Sequence, residues 1–451
     1  MTSLRARLYR FHWEARSRAE GFGLTAALRF LHESERWERA RLDDLRNKKL
    51  VRLVEQAYAR SPHYRRMMDE RGVRPDDVRG LADLPRLPIL TKDALREHGD
   101  ALRLAGDIPV EIGATGGTTG IPIQIARDRA GSVWQRGCYW RGFGWGGLRL
   151  GEPFVQLFGG TLGVAKRRRL DRVKSFFSGK TFLPAFELGP DNARRYLDEI
   201  RASGARFLVG YTSALYLLAC HAERCGVRVE LDAVFPTAEL LLDSWRETIA
   251  RAFGAKVLPY YGCGEIQSLG YACPEAEVPV YHTCDEHSVI EVEQPGGGAA
   301  LAGEGPFLVT DLDNLATPMI RYRNGDAGVL APHGCRCGRT LGRITRLDGR
   351  VNDVLYRASG DAISGAIGPH AFKMVQGVEQ FQIVQKRAGQ ITIHIVRREG
   401  SYVPAVEEPK IQRIFKQHLG SDAEIDIRYV DWIPRTAAGK ARFIINEVAA
   451  R

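Results

Sequence analysis

The sequence predicts an α/β protein built in two parts. Residues 1–350 read as a large N-terminal domain of β-sheets flanked by helices, with a helical start over 1–105, and residues 353–451 as a small α+β C-terminal domain. Three observations carry this. At 451 residues the chain exceeds what one hydrophobic core usually organises. From about residue 108, short apolar runs bounded by Gly and Pro alternate with helical patterns, as in a sheet covered by helices. Near Gly349 the texture shifts to a hairpin, one helix and one strand.

The elements follow in order. Leu50, Leu53, Val54, Ala57 and Tyr58 recur at helical spacing, which predicts helix from about 36 to 72. The Pro- and Leu-rich run from Leu84 to Thr91 ends that pattern, and Thr91 is placed to cap a further short helix. Strands are expected over 110–112, 121–125, 205–211, 255–260, 288–292 and 306–311, with helices over 191–201 and 241–253. In the small domain, 381–384 and 390–396 pair around Arg387-Ala-Gly389, before a helix over 406–418 and a strand over 424–430.

Composition excludes several classes. Hydrophobic residues make up 44% and charged ones 26%, ordinary for a globular protein. No apolar run approaches the ~20 residues of a membrane-spanning helix, and the N-terminus lacks a signal peptide's apolar centre. A cytoplasmic protein without a transmembrane segment is expected. Leu4, Leu8 and Phe11 among Arg5, Arg7, Arg10 and Arg16 suggest a basic amphipathic helix, which suits an anionic membrane surface but is expected to dock on its own domain with a solvated basic face. The net charge of +11 favours anionic ligands, yet the basic residues are spread, with one compact run at Lys166-Arg-Arg-Arg169. No nucleic-acid module accompanies them, so no nucleic-acid partner is expected. Eight cysteines without a secretion signal do not suggest a disulfide framework. Oligomeric state, a dimer included, stays open.

Five segments carry chemistry. Ala114-Thr-Gly-Gly-Thr-Thr-Gly-Ile-Pro122 offers hydroxyls and backbone N–H groups that can wrap phosphate oxygens, though no Lys follows its last Gly. Tyr260-Tyr-Gly-Cys-Gly-Glu265 supplies a ring to stack on a base and a carboxylate to help hold Mg²⁺. Ile320-Arg-Tyr-Arg-Asn-Gly-Asp326 ends in an Asp able to accept two hydrogen bonds from vicinal hydroxyls. Asp348-Gly-Arg-Val-Asn-Asp353 lies at the domain change. Ile433-Pro-Arg-Thr-Ala-Ala-Gly-Lys440 places one lysine on a Gly-bearing turn, where it can be delivered onto a phosphate or carboxylate. Alone, the first reads equally well as a tight Thr/Gly hairpin, and each of the other four reads better as a turn or a polar strand end.

Taken together, Thr-Gly-Gly-Thr-Thr-Gly-x-Pro, Tyr-Gly-x-Gly-Glu, Tyr-Arg-x-Gly-Asp, Gly-Arg-x-x-Asp and Pro-Arg-Thr-x-x-Gly-Lys resemble, in that order, the adenylate-forming superfamily of acyl-CoA synthetases. The resemblance spans roughly residues 45 to 445. Ser61-Pro-His-Tyr64, the Leu84–Thr91 segment and Cys335-Arg-Cys-Gly338 are most similar to its phenylacetate–CoA ligase-like branch, which includes relatives associated with capsular polysaccharide biosynthesis. The resemblance implies a mobile small domain and a ligase using ATP and Mg²⁺. Such a ligase activates a carboxylic acid as an acyl-adenylate, then passes the acyl group to CoA. An amine or hydroxyl acceptor, for instance on a sugar intermediate, is the alternative, as is a nucleotide-binding relative without turnover.

Residue by residue, Thr115, Gly116, Gly117, Thr118, Thr119 and Gly120 would hold the β- and γ-phosphates. Ala238 and Glu239 would lie against adenine, Tyr261 with Gly262 would flank the base, and Glu265 would assist Mg²⁺. Asp326 would bind the ribose, Arg350 the ribose or α-phosphate, and Lys440 would bridge the carboxylate and the α-phosphate. A lysine there relieves the repulsion between two reacting anions. Two positions depart from the family: Ile121 stands where a Lys is usual, and Asn352 where the hinge is usually Asp or Lys.

Cys273, His282, Cys335 and Cys337 make a candidate structural zinc site of Cys3His type, which this branch also resembles. Cys284 and His287 are rival ligands, and four unrelated residues the plain alternative. Cys138, Cys220, Cys225 and Cys263 read as buried or incidental thiols. For the acid, Trp134, Tyr139, Trp140, Phe143 and Trp145 suit either an aryl or apolar pocket or a core helix.

Overall fold

The computed structural model describes residues 7–8, 11, 15, 23–104, 110–114, 124–158, 179–188, 190–294, 298–350, 354–364, 371–372, 375–434 and 442–448. The residues assigned to phosphate binding, 115–120, together with Ile121, Lys166–Arg169, Asn352 and Lys440, lie outside these.

β1 (Val110–Ala114) and β2 (Gln124–Asp128) pair as an antiparallel hairpin. β3 (Phe154–Phe158), β4 (Lys180–Pro184), β5 (Phe207–Tyr211), β6 (Ala233–Thr237) and β7 (Lys256–Val257) form an all-parallel sheet in the order β4-β3-β5-β6-β7. Period-two alternation divides its faces. Val155, Leu157, Leu208 and Val234 pack under the helices Pro190–Ser203, Thr212–Cys225 and Asp243–Phe253. Phe154, Phe207, Val209 and Phe235 meet the helix Arg129–Trp145 instead. Gly142 lets that helix approach, since a Cβ there would stand 2.1 Å from the Tyr271 ring.

A second, largely antiparallel sheet comprises β8 (Tyr260–Tyr261), β9 (Gly270–Ala272), β10 (Tyr281–Thr283), β11 (Ser288–Glu293), β12 (Ala299–Ala300), β13 (Gly303–Asp311), β14 (Tyr322–Ala331) and β15 (Arg343–Arg350), in the order β12-β11-β13-β14-β15-β10-β9-β8. A short ribbon, β16 (Val354–Tyr356) and β17 (Ala362–Ser364), precedes the C-terminal sheet. There β18 (Val378–Arg387), β19 (Gln390–Arg397), β20 (Glu424–Tyr429) and β21 (Ile444–Asn446) run in the order β20-β19-β18-β21, with the helix Pro404–Leu419 between β19 and β20. Among the described residues, no helix is long and apolar enough to cross a membrane.

Three expectations need correction. The helix expected over 36–72 is two, Arg39–Arg60 and Pro62–Glu70, because Pro62 cannot extend the first and Ser61 caps the second by accepting from the Tyr64 N–H at 3.3 Å. The strand expected over 255–260 splits into β7 and β8, which belong to different sheets; Pro259 between them has no N–H to donate. Leu8 and Phe11, expected to dock, are 48% and 73% exposed. The helix Leu24–Ser34 packs on Arg129–Trp145 instead, through Leu31 against Gly137.

The N-terminal helices are held by buried charge. Arg141 donates to Glu286 at 2.6 Å and to the Leu31 carbonyl at 3.1 Å, while Ser34 donates to the same Glu286 oxygen at 2.6 Å. Lys49 reaches Asp313 at 2.6 Å, and Asp313 lies 2.8 Å from Nδ1 of His287. Burial opposes a charged His287, but Asp311 and Asp313 outweigh it and raise its pKa to about 9. Because this exceeds the unfolded value of 6.5, the contribution to stability is complete below pH 6.5 and is lost as pH rises through about 9. Urea midpoints measured across this window are expected to fall for the wild type, and His287→Asn to flatten the fall. A midpoint rising with pH would contradict the assignment.

Candidate active site

In open parallel sheets, ligands bind in the crevice beyond the carboxyl ends of the strands. Here β5 and β6 end at Tyr211 and Thr237, followed by the residues expected to face adenine. Ala238 takes a left-handed φ of 69°, and the Glu239 carboxylate accepts from the Ser213 N–H at 2.7 Å, at the start of the helix Thr212–Cys225. A carboxylate there meets the positive end of the helix dipole. The other non-glycine residues with left-handed φ among those described are Ser268 at 61° and Arg321 at 49°, beside the Glu265 and Asp326 motifs. Each such conformation costs about 1–3 kcal/mol, and such strain gathers at functional sites.

β8 joins the two sheets. Thr237 donates to the Tyr260 carbonyl at 3.0 Å, and the Tyr260 ring stacks on Tyr271 with centroids 5.5 Å apart. Tyr261 points the other way, into the core of the antiparallel sheet, and donates to Oδ2 of Asp326 at 2.8 Å. Asn324 donates to the Tyr261 hydroxyl at 2.7 Å and to Asp326 at 3.2 Å. The main chain of Arg350 on β15 stands opposite Asp326 on β14. Residues expected at base and ribose thus form one connected unit.

After Gly262 the chain turns, with the Cys263 N–H donating to the Ile266 carbonyl at 3.0 Å. Burial first, and Glu265 second, push the Cys263 thiol well up, so it is held away from the nucleophilic thiolate. Glu265 is 5% exposed, and Lys92 places its ammonium 3.6 Å from the carboxylate. Thr91 positions this lysine: its hydroxyl accepts from the Ala94 N–H at 3.2 Å, capping the helix Lys92–Glu97. Leu90 is bonded to β14, donating to Arg321 O and accepting from the Arg323 N–H. On the other side Arg127 donates to the carbonyls of Gly264 at 2.8 Å and Glu265 at 2.9 Å. Neither cation belongs to a motif, and nothing in local spacing marks them; Asn324, inside the Asp326 motif, was in view but unassigned.

The aromatic group does not line one pocket. Trp140 and Phe143 are buried in the core, Trp134 lies under the Lys49 ammonium at 4.1 Å, and Trp145 donates to Glu35 at 2.9 Å. The Tyr139 hydroxyl lies 3.5 Å from Nε2 of Gln156 on β3.

The cysteines and histidine singled out as metal ligands converge. Ligand atoms of Cys273, His282, Cys335 and Cys337 all lie within 4.8 Å of one another, with Sγ of Cys273 and Cys335 3.8 Å apart and His282 Nε2 3.2 Å from Cys337 Sγ. Zn–S bonds of about 2.3 Å put tetrahedral S···S edges near 3.8 Å, far beyond a disulfide bond. Nε2 is the His282 atom that faces the sulfurs, while Nδ1 is buried. The rivals are committed elsewhere: Cys284 packs in the core beside Cys138, and His287 pairs with Asp313.

Residues 355–447 match the family model of the CapK C-terminal domain. The phenylacetate-coenzyme A ligase of Thermus thermophilus is 26% identical over 445 residues, covering 92% of this chain and 98% of that protein. Protein CapK of Staphylococcus aureus is 23% identical over 378 residues, 82% of this chain and 81% of that protein. The crystal structure of 2-hydroxyisobutyryl-CoA ligase in the postadenylation state, in complex with R3-HIB-AMP, superposes with a TM-score of 0.73 at 20% identity, over 91% of this chain and 90% of that one. The chain is thus similar in sequence to phenylacetate-coenzyme A ligases and to Protein CapK, and it shares the fold of the adenylate-forming CoA ligases. The same ligase in its thioesterification state, with 2-HIB-AMP and CoA, superposes less well, with a TM-score of 0.61 at 20% identity over 91% of each chain.

Protein purified without chelator is expected to hold about one zinc per chain. Cys335→Ser should lose the metal and lower the melting temperature. Metal analysis finding no zinc in wild-type protein would contradict this ligand set.

Proposed function

We propose that this chain is an ATP-dependent, AMP-forming acid–thiol ligase. It activates a carboxylic acid to an acyl-adenylate with release of pyrophosphate, then transfers the acyl group to CoA. The observation that carries this is the convergence of motifs far apart in sequence: Tyr261 and Asp326 are bonded, Arg350 stands opposite Asp326, and Glu265 follows Tyr261. A residue at the start of the lysine motif and one just beyond its end support it. Pro434 and Arg442 line a small pocket together with Ser213, whose N–H holds Glu239. The relatives named as phenylacetate-coenzyme A ligases point the same way.

In this proposal Asp326, pre-set by Tyr261 and Asn324, accepts from the ribose hydroxyls, and Arg350 faces the ribose or α-phosphate. Thr115, Thr118, Thr119 and Gly116, Gly117 and Gly120 take the outer phosphates. Lys440 brings its charge between the carboxylate and the α-phosphate, where it lowers the repulsion of two anions. Mg²⁺, assisted by Glu265, would neutralise the polyphosphate. The division at 1–350 and 353–451 then lets the small domain carry Lys440 away and admit the thiol. Zinc at the Cys3His set, with no open position, would be structural.

A second reading keeps adenylation but ends on an amine or hydroxyl acceptor. The match of residues 355–447 to the CapK C-terminal domain, with Ile121 and Asn352 at two positions that usually differ, favours keeping it. AMP with an acyl-CoA product separates the two.

Carboxylate-dependent ATP–pyrophosphate exchange over aryl, short-chain and hydroxy acids is expected to occur with one class. Lys440→Ala should lower it about 100- to 1,000-fold, the range for removing one preorganised charge-stabilising group. Exchange undiminished in that variant would contradict the assignment.

A further inference from the structure

A family lysine is missing at position 121, where this chain has Ile. Isoleucine cannot answer phosphate charge, so the nucleotide's outer phosphates face one cation fewer. The hairpin around that loop carries a replacement. Arg127 sits on β2 opposite Glu111, and its side chain runs along the hairpin toward the loop end. Gly113 makes room for it: a Cβ at that position would stand 2.5 Å from Nη1 of Arg127. Nη2 meanwhile donates to the Gly264 and Glu265 carbonyls. The guanidinium therefore lies between the start of the phosphate loop and the turn that bears Glu265.

Among the described residues no carboxylate lies within ion-pair distance of Arg127, and Glu111, its cross-strand neighbour, is taken by Arg136 at 3.0 Å. Burial lowers the Arg127 pKa, against the opposing pull of Asp311, Cys263, Glu265 and Glu111. A half-buried guanidinium with two carbonyl contacts and, among the described residues, no carboxylate at ion-pair distance is a costly arrangement that a further anion would relieve. Nη1 and Nε still have N–H groups to offer, in a planar fork suited to phosphate.

We infer that Arg127 supplies to the nucleotide's outer phosphates the positive charge that relatives draw from the loop lysine. The inference rests on the adenylation reading for the identity of the ligand, though not on turnover. Arg127 also ties the β1–β2 hairpin to the Glu265 turn.

Equilibrium binding of ATP and of AMP distinguishes this role from simple support of the turn. Arg127→Ala is expected to weaken ATP about 10- to 100-fold, the scale of one charge-assisted hydrogen bond pair, while AMP changes less than about threefold. Ile121→Lys added to Arg127→Ala should restore ATP to within about threefold of wild type, because the charge returns by the family's route. Arg127→Lys, which keeps the charge, should fall between. Equal weakening of both nucleotides, or no recovery in the double variant, would overturn the inference. ATP-selective binding that depends on Arg127, without pyrophosphate exchange for any acid, would uphold this site and sink the adenylation reading. A wild-type chain that binds neither nucleotide would overturn both.

Discussion

The site depends on a strand of two residues. β8 contains only Tyr260 and Tyr261, and strand alternation sends their side chains to opposite faces. Tyr260 enters the aromatic core shared with the parallel sheet, stacked on Tyr271. Tyr261 enters the core of the antiparallel sheet and fixes Asp326. A slip of one residue would exchange the two and detach Asp326 from its partner. The packing of both sheets and the presentation of the candidate nucleotide-binding carboxylate thus share one register.

Around this point charge is arranged unevenly. Beneath the N-terminal helices, carboxylates and cations are matched: Arg141 with Glu286, Lys49 and His287 with Asp313, Arg321 with Glu291. Removing one member of such a pair would strand its partner in a poorly solvated interior. At the Glu265 turn the balance differs. Lys92 and Arg127 both approach it, and only Lys92 meets the carboxylate. Contacts between the two parts of the chain mix polar and apolar: Arg224 pairs with Glu379 at 2.9 Å, Tyr216 donates to the Val378 carbonyl at 3.2 Å, and the Trp245 and Phe443 rings lie 5.8 Å apart within a shared hydrophobic cluster.

Legibility followed the range of the interactions. Strands β5, β11 and β13 and the β18–β19 hairpin were visible because apolar alternation and turn glycines are local signals. The break at Ser61 was written in Ser-Pro, yet helical periodicity on both sides hid it. The Cys3His set was legible because few residue types bind zinc, although only the fold could reject Cys284 and His287. Lys92 and Arg127 were not legible. Both owe their place to pairing across long sequence separations, Leu90 with β14 and Arg127 with the 264–265 turn. The aromatic run 134–145 misled for a related reason: on a helix buried on several sides, aromatic residues pack in different directions, and composition cannot say which one meets a ligand.

The central claim is that a carboxylate oxygen attacks the α-phosphate of ATP in this site. Turnover with an acid labelled with ¹⁸O in both carboxyl positions, drawn from the panel that supports exchange, tests it most directly. Attack at the α-phosphate predicts AMP carrying one ¹⁸O atom and an acyl product that has lost one. Unlabelled AMP, or release of ADP with labelled inorganic phosphate, would contradict it.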